Sequence, residues 1–197
     1  MEPKFREAIE DAEVVALSVA TRPDCLPADI LDMLKRLNQI KPVWVELGLQ
    51  TIKEETAQYI RRGYSLEVYD KAVTALKQIG VEVIVHVILG LPGETREDML
   101  DTVSYVVKSG VQGIKLQLLH VLKDTDLATD YEKGLFRVME KEEYFTLLKA
   151  CLQLIPEEVV VHRLTGDGNK KTLIAPMWSA DKKRVLNDLS EALRAKE

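Results

Sequence analysis

The sequence predicts an α/β protein built on a parallel sheet, and three observations carry that prediction. Five stretches are apolar and rich in β-branched residues, as strands buried on both faces are: residues 14–20 (VVALSVA), 43–47 (VWVEL), 81–89 (VEVIVHVIL), 111–119 (VQGIKLQLL) and 158–162 (EVVVH). Helical patterns separate them. No hairpin signal joins any two. Strand–helix–strand order of this kind builds right-handed βαβ crossovers. The pattern alone leaves an open doubly wound sheet and a barrel as alternatives.

The helices follow in order. Residues 27–40 place Ile30, Met33, Leu34 and Leu37 on one face. Thr51 with Glu54 has the spacing of a capping box ahead of a helix through Tyr59 and Ile60. Ser65 is the expected N-cap of a helix over 66–79, with Val68, Ala72, Leu76 and Ile79 inward and Gly80 as its stop. Thr95 and Asp98 repeat the capping pattern before Met99, Val103, Val106 and Val107, and Gly110 ends that helix. Tyr144, Leu147, Leu148, Cys151 and Ile155 mark another, stopped at Pro156; Val185, Leu186, Leu189 and Leu193 mark the last. GDGNKK at 166–171 is the most loop-like stretch.

The 197 residues, 46% hydrophobic and 30% charged, suit one core, so residues 1–197 are expected to form a single domain. The net charge is -5 and the basic residues are interspersed with acidic ones, which gives no basic footprint for nucleic acid. No stretch is long and apolar enough to span a bilayer, and the polar start lacks a signal-peptide core, so a soluble cytoplasmic protein is expected. The two cysteines, Cys25 and Cys151, belong to no CxxC or CxxxCxxC, so the chain has neither a disulfide framework nor a metal-ligand set. Cys151 reads as a core thiol; Cys25 follows a strand.

In parallel β/α folds the site forms where strands hand over to loops at their C-terminal ends. Those handovers are residues 21–24 (TRPD), 46–51 (ELGLQT), 90–95 (GLPGET), 120–125 (HVLKDT) and 163–167 (RLTGD). His86, His120 and His162 lie at or near strand ends as well. Glu46 is the most telling residue, because a carboxylate inside an apolar strand needs a partner or a ligand. His86 carries the same argument more weakly, with a hydrogen-bonded core histidine as the alternative. Gly90, Pro92 and Gly93 read equally as turn residues. Arg61 and Arg62 read as helix-end cations, and His162 and Arg163 as partners of a nearby carboxylate.

Taken together and in order, ATRPD, ELGLQT, RRGYS, HVILGLPGET, LLHVLKDTDLATDY, VVVHRLTGDG and LIAPMWSADKKRVLNDL resemble the radical S-adenosylmethionine (SAM) superfamily. The nearest types are the elongator-like and oxygen-independent coproporphyrinogen oxidase enzymes, and in particular the YhcC/YtqA-type proteins. The resemblance implies a partial parallel (β/α) barrel, roughly the last four units of a (β/α)6 core plus a C-terminal strand and helices. It implies an iron–sulfur oxidoreductase whose 4Fe-4S cluster cleaves SAM to a 5′-deoxyadenosyl radical that abstracts hydrogen from a substrate. The cluster loop CxxxCxxC and the glycine-rich segment for the SAM amino group are absent, so the resemblance starts at the third strand of that barrel and the chain is expected to lack the cluster and to be inactive by itself.

Carried over position by position, the resemblance gives Gln50 and Arg62 to SAM's polar ends, His86 to the ribose, Ile88 and Gly90 to the adenine, and His120 to the adenine at the next strand end. Ala20 stands where relatives often have Glu, so Glu46 or Thr21 is the expected substitute. Thr21, Arg22, Asp24, Lys123, Arg163 and Asp167 are candidate substrate contacts. An RNA base is one candidate substrate by the elongator-like resemblance, without support from the charge pattern. Two other readings stand beside this one: a noncatalytic nucleoside-binding module, and a cluster-free barrel enzyme using Glu46, His86 and His120 as acids and bases. The first strand lacks its barrel neighbour, so its edge is expected either to mediate a homo-oligomer or to be covered by the helix at 3–11.

Overall fold

The computed structural model describes residues 2–166 and 168–194. In chain order the elements are α1 (Glu2–Glu10), β1 (Leu17–Thr21), a 3-10 turn (Pro23–Cys25), α2 (Ala28–Asn38), β2 (Val43–Gln50), α3 (Glu54–Tyr59), α4 (Leu66–Gln78) and β3 (Glu82–Leu89). There follow α5 (Arg96–Lys108), β4 (Gly113–Leu118), β5 (Val121–Leu122), α6 (Asp126–Glu132), α7 (Lys141–Leu154), β6 (Val160–Arg163), β7 (Leu173–Ala175), a 3-10 turn (Met177–Ala180) and α8 (Lys182–Arg194). Five strands form one parallel sheet in the order β1-β2-β3-β4-β6, the expected α/β fold as an open sheet and not a closed barrel. A two-stranded antiparallel pair of β5 and β7, which the sequence did not suggest, stands apart.

Two strand boundaries differ from expectation by three residues and the others by two or fewer. β1 starts at Leu17 and not Val14, because the Val14 amide turns back to the Asp11 carbonyl (3.2 Å) and Val15 is 82% exposed. β2 runs on to Gln50, because Leu49 continues the buried alternation past Leu47.

Two caps differ as well. Lys53, not Thr51, is the N-cap of α3; the Thr51 hydroxyl accepts from the Lys53 amide (3.0 Å), and Glu54 pairs with Arg62 instead of closing a box. Ser65 occupies the N-cap position of α4 without a side-chain bond. The Thr95–Asp98 capping box at α5 is complete, with both reciprocal bonds made. Gly80 and Gly110 end α4 and α5 at φ +75° and +70°.

The core lies on one side of the sheet. Val43, Val45, Leu47 and Leu49 of β2, Val83, Val85 and Val87 of β3, and Ile114 and Leu116 of β4 are buried in one cluster with residues from α1, α2, α4, α5, α7 and α8. Period-two alternation then puts Trp44, Glu46, His86, Lys115 and Gln117 on the opposite face, where they are only half-buried. This polar face of the open sheet, its lumen side, carries the charged and hydrogen-bonding side chains. α1 buries Ile9 in the core and ties Glu2 to Arg36 of α2 (2.8 Å), lying against α2 and β1; among the described residues β1 pairs only with β2. Among the described residues no helix is long and apolar enough to cross a membrane.

Candidate functional site

At the C-terminal end of β2 the sheet register shifts between Gly48 and Gln50, and Gln50 adopts φ +67°. A side chain held in the left-handed region costs on the order of 1 kcal/mol and persists where its surroundings fix it. A Cβ on Gly48 would sit 2.5 Å from the Gln50 side-chain amide nitrogen, so a larger residue there would have to displace the Gln50 side chain. The Tyr64 hydroxyl donates to the Gly48 carbonyl and lies 3.5 Å from Gln50 Oε1. Burial pushes the Tyr64 phenol up to about 12, so it stays a donor. Both Arg22 and Arg62 lie over the Tyr64 ring, 5.5 and 4.9 Å from its centre.

Around this bulge is a cavity of about 320 Å³ that brings together Arg22, Gly48, Gln50, Arg62, Tyr64 and Ile88, with apolar walls from Leu91 and Leu119. Four of the residues singled out in the sequence, Arg22, Gln50, Arg62 and Ile88, meet here. Arg62 does so as a structural member. Its side chain is 1% exposed and donates to the Tyr64 carbonyl (2.9 Å), the Thr51 carbonyl (2.7 Å) and the Glu54 carboxylate (3.0 Å). The guanidinium expected to hold a SAM carboxylate is thus engaged with its own loop. Arg22 makes a two-pronged bond to Asp24 (2.9 and 2.7 Å), which holds the Asp24 carboxyl below its usual range.

A second group lies lower on the lumen face. Glu46 accepts from Ser18 (2.9 Å) and Lys115 (2.5 Å) and is 2.8 Å from His86 Nε2, while the Gln117 amide lies 2.9 Å from His86 Nδ1. These bonds settle the tautomer: Nε2–H donates to Glu46, and Nδ1 accepts from Gln117. Glu46 and Lys115 are 16% and 13% exposed. Their bonds outweigh the burial that opposes them and hold the Glu46 carboxyl at about 2, whereas burial lowers the His86 pKa. The cluster therefore contains an ionised carboxylate, an ammonium and a neutral imidazole. Glu46 has the partner its position demanded. Lys115, Gln117, Ser18 and Tyr64 were not singled out in the sequence, though the polar residues alternating in GIKLQL were a readable sign.

Other expected positions lie elsewhere. Gly90, at φ +86°, donates its amide to Met99 Sδ (3.0 Å) and lines a separate cavity of about 790 Å³ with Glu94, Met99, Phe136 and Met139, not the one holding Ile88. His120 places Nε2 3.1 Å from the Ser179 hydroxyl and packs its ring against Gly166 and Gly168, so it belongs to the C-terminal loop and does not join Glu46 and His86 as an acid–base set. Thr21 is in register with Leu47, which puts it on the helix-covered face and not beside Glu46. Lys123 is exposed, its amide bonded to the Thr172 carbonyl (2.8 Å). Arg163 is in register with Lys115. Asp167 lies outside the described residues.

The donor set does not fit an iron–sulfur cluster. Cys25 is exposed in the turn after β1, and Cys151 is buried in α7, where burial pushes its thiol up to about 12. Cluster binding takes several thiolates. The cavity at Gly48 has the apolar walls that suit the base of a nucleoside, from Ile88, Leu91 and Leu119, with the Gln50 side chain beside them.

Comparison with known proteins identifies the family and the fold. Residues 2–106 match the radical SAM superfamily and residues 111–195 the radical SAM C-terminal domain, and the two stretches share one sheet through β3 and β4. The chain is 44% identical to the uncharacterized protein YtqA of Bacillus subtilis over 96% of its own length, and 38% identical to YhcC of Escherichia coli over 88%. It spans 59% and 57% of those relatives. The solved structure of Methanocaldococcus infernus Elp3 superposes with a TM-score of 0.76 at 24% identity, covering 92% of this chain and 43% of that one, which shows the shared fold. The chain belongs to the radical SAM superfamily, in its YhcC/YtqA branch.

Proposed function

We propose that this chain binds the nucleoside part of SAM and faces the substrate within a radical SAM iron–sulfur enzyme. SAM, when bound and cleaved by a reduced 4Fe-4S cluster, supplies the adenosyl group that abstracts hydrogen from substrate. The thiolates for that cluster come, in this reading, from a segment outside these 197 residues. The chain's own work is binding and positioning. Gln50 offers its side-chain amide to the ligand, Ile88, Leu91 and Leu119 offer apolar surface to the base, and the Tyr64 hydroxyl, bonded to the Gly48 carbonyl, fixes the bulge. Glu46 and His86 lie one strand turn below as a polar floor.

The observation that carries this reading is the bulge cavity itself, with Gln50 at positive φ and Ile88, Leu91 and Leu119 as apolar walls, at the strand end where β/α folds place their sites. Equilibrium dialysis of the chain against 5′-deoxyadenosine tests it, since that probe needs no iron. Saturable binding that SAM competes for, and that Gly48→Val and Ile88→Arg each weaken by at least roughly tenfold, is the expected result. Folded protein that does not bind, or variants that bind as well as the parent, would overturn the reading.

A further inference from the structure

α6 supplies part of the rim of the bulge cavity. Its Leu127 lines the cavity together with Ile60, the C-cap of α3. The residues on either side of Ile60 are bonded across to α6. The Tyr59 hydroxyl donates to Asp130 (2.6 Å), and Arg61 pairs with Asp126 (2.5 Å), the neighbour of Leu127. Two side-chain bonds thus bracket the stretch of rim that Ile60 and Leu127 form. Both are surface bonds: Arg61 and Asp126 are 78% and 71% exposed, and Tyr59 is exposed as well. Bonds of this kind add little to stability and open readily. α6 itself rests on a small foundation. Ala128, its one buried residue, packs with Val121 of β5 and Ala175 of β7 in a cluster separate from the main core. The chain enters α6 through Asp124 at φ +62° and leaves it through Gly134 at φ +71°. A Cβ on Gly134 would meet nothing within 4 Å.

A segment with few buried apolar contacts opens locally well before the fold does, and turn residues at its two ends are where the change of φ and ψ is absorbed. We propose that α6 is a lid on the bulge cavity, turning about Asp124 and Gly134 and latched to α3 by Tyr59–Asp130 and Arg61–Asp126. At about 320 Å³ the cavity is at the small end of ligand sites. A nucleoside therefore enters and leaves by moving a wall, and Leu127 is the wall with the weakest support. Closing Leu127 over the ligand keeps water from its base. That the occupant is the nucleoside part of SAM rests on the reading above; the opening of α6 does not.

Both latch donors lie on the α3 side, so the double variant Tyr59→Phe, Arg61→Gln weakens the latch without altering the α6 sequence. Hydrogen exchange of the free chain, read by mass spectrometry, comes first. Peptides from α6 should exchange at least roughly tenfold faster than those from α4 and α5. The latch variant should speed α6 by roughly threefold or more and leave α4 and α5 as they were. Lys71→Gln, which breaks a comparably exposed pair with Glu67 on α4 (2.6 Å), should leave α6 unchanged. Peptides from α6 as protected as those from α5, a latch variant exchanging like the parent, or acceleration spread equally over α4 and α5 would each overturn the lid. Surface plasmon resonance on the immobilised chain then gives the rates for 5′-deoxyadenosine. The latch holds with and without ligand, so the variant should raise association and dissociation together, each roughly threefold or more, with Kd nearly unchanged. The probe is uncharged. Raising sodium chloride from about 0.05 to about 0.5 M, which shortens the Debye length about threefold, should therefore speed both rates of the parent through Arg61–Asp126, and not those of Arg61→Gln. A weaker Kd with association unchanged would make Tyr59 and Arg61 parts of a fixed wall and overturn the lid. Fast, latch-dependent exchange of α6 in a chain that binds no 5′-deoxyadenosine would overturn the SAM reading alone.

Discussion

Along β2, Val43, Val45, Leu47 and Leu49 are buried under helices, while Trp44, Glu46, Gly48 and Gln50, one residue away each, are half-exposed on the other side. β4 repeats the contrast, with Ile114, Leu116 and Leu118 buried and Lys115 and Gln117 facing the lumen. The covered face of β2 and β4 contains only hydrocarbon side chains, so any residue of about the right size and polarity serves it. The lumen face contains side chains that would not be tolerated in a core unless each found its partner: an ion pair, a neutral histidine with both nitrogens engaged, an amide and a hydroxyl. One face therefore determines whether the chain folds, and the other what the folded chain binds. A strand of period two lets both requirements be met by the same eight residues.

The largest expected effect is a direct comparison across one peptide bond. Leu116→Asp places an unpaired carboxylate in the core, at a cost of at least about 4 kcal/mol, which is most of the stability of an ordinary domain of ~5–15 kcal/mol. The chain should fail to give a cooperative urea transition by circular dichroism. Gln117→Leu, on the lumen face, should unfold within about 1 kcal/mol of the parent. If Gln117→Leu were the more damaging, the division between the two faces would be wrong.

Next in size is the ion pair. Glu46→Gln leaves the largely buried Lys115 ammonium without its counter-charge and should cost about 1–3 kcal/mol. Adding Lys115→Met should recover part of that loss, because a buried pair replaced as a whole is nearly neutral. A double variant as unstable as the sum of its singles, by urea unfolding, would show that the two residues do not act as a pair.

The same cluster sets a pH dependence. Both groups have folded pKa values below their unfolded ones: Glu46 falls from 4.5 to about 2, and His86 lies below 6.5. The unfolded chain therefore binds more protons in these ranges, and stability rises with pH. The His86 contribution is complete above pH 6.5 and is lost as pH falls below it; the Glu46 contribution is complete above pH 4.5 and is lost from there toward pH 2. Urea midpoints should thus decline between pH 7 and 5, and His86→Gln should flatten that segment while sparing the decline below pH 4.5. A parent whose midpoint is level from pH 7 to 5 would contradict the neutral, doubly bonded His86.

The covered face was legible in the sequence and the lumen much less so, for a physical reason. Burial under helices writes itself as continuous apolar runs, and turn glycines and caps mark their ends, so the five strands of the parallel sheet and the helices that cover it could be read one by one, while β5, β7 and α6 could not. The lumen is assembled across strands by register, which no single segment records. Glu46 stood out because it is isolated in its own strand, but its partners Lys115 and Ser18 lie 69 and 28 residues away. The register also separated residues that the sequence grouped: Thr21 went to the covered face with Leu47, and Gly90 to a different cavity from Ile88. Arg62 was correctly placed near the bulge, but nothing local announced that the Thr51 and Tyr64 carbonyls would take its hydrogen bonds.

The smallest effect tests how finely the covered side can be read. Thr95 and Ser65 are both residues that favour N-caps, and both stand directly before a 13-residue helix packed on the buried face. Only Thr95 makes the cap: its hydroxyl accepts from the Asp98 amide (3.2 Å), and the Asp98 carboxylate accepts in return from the Thr95 amide (2.8 Å). Lys53 reaches the same carboxylate (2.9 Å), so Asp98 is held at about 2 and remains an acceptor down to low pH. Thr95→Ala should therefore cost about 1 kcal/mol, the usual value of a side-chain cap, while Ser65→Ala should stay within about 0.5 kcal/mol, as an exposed position without a bond does. Urea unfolding of the two single variants measures the difference. Equal losses would mean that cap position matters here and the hydroxyl bond does not, and the helix ends would then owe their stability to packing against the sheet.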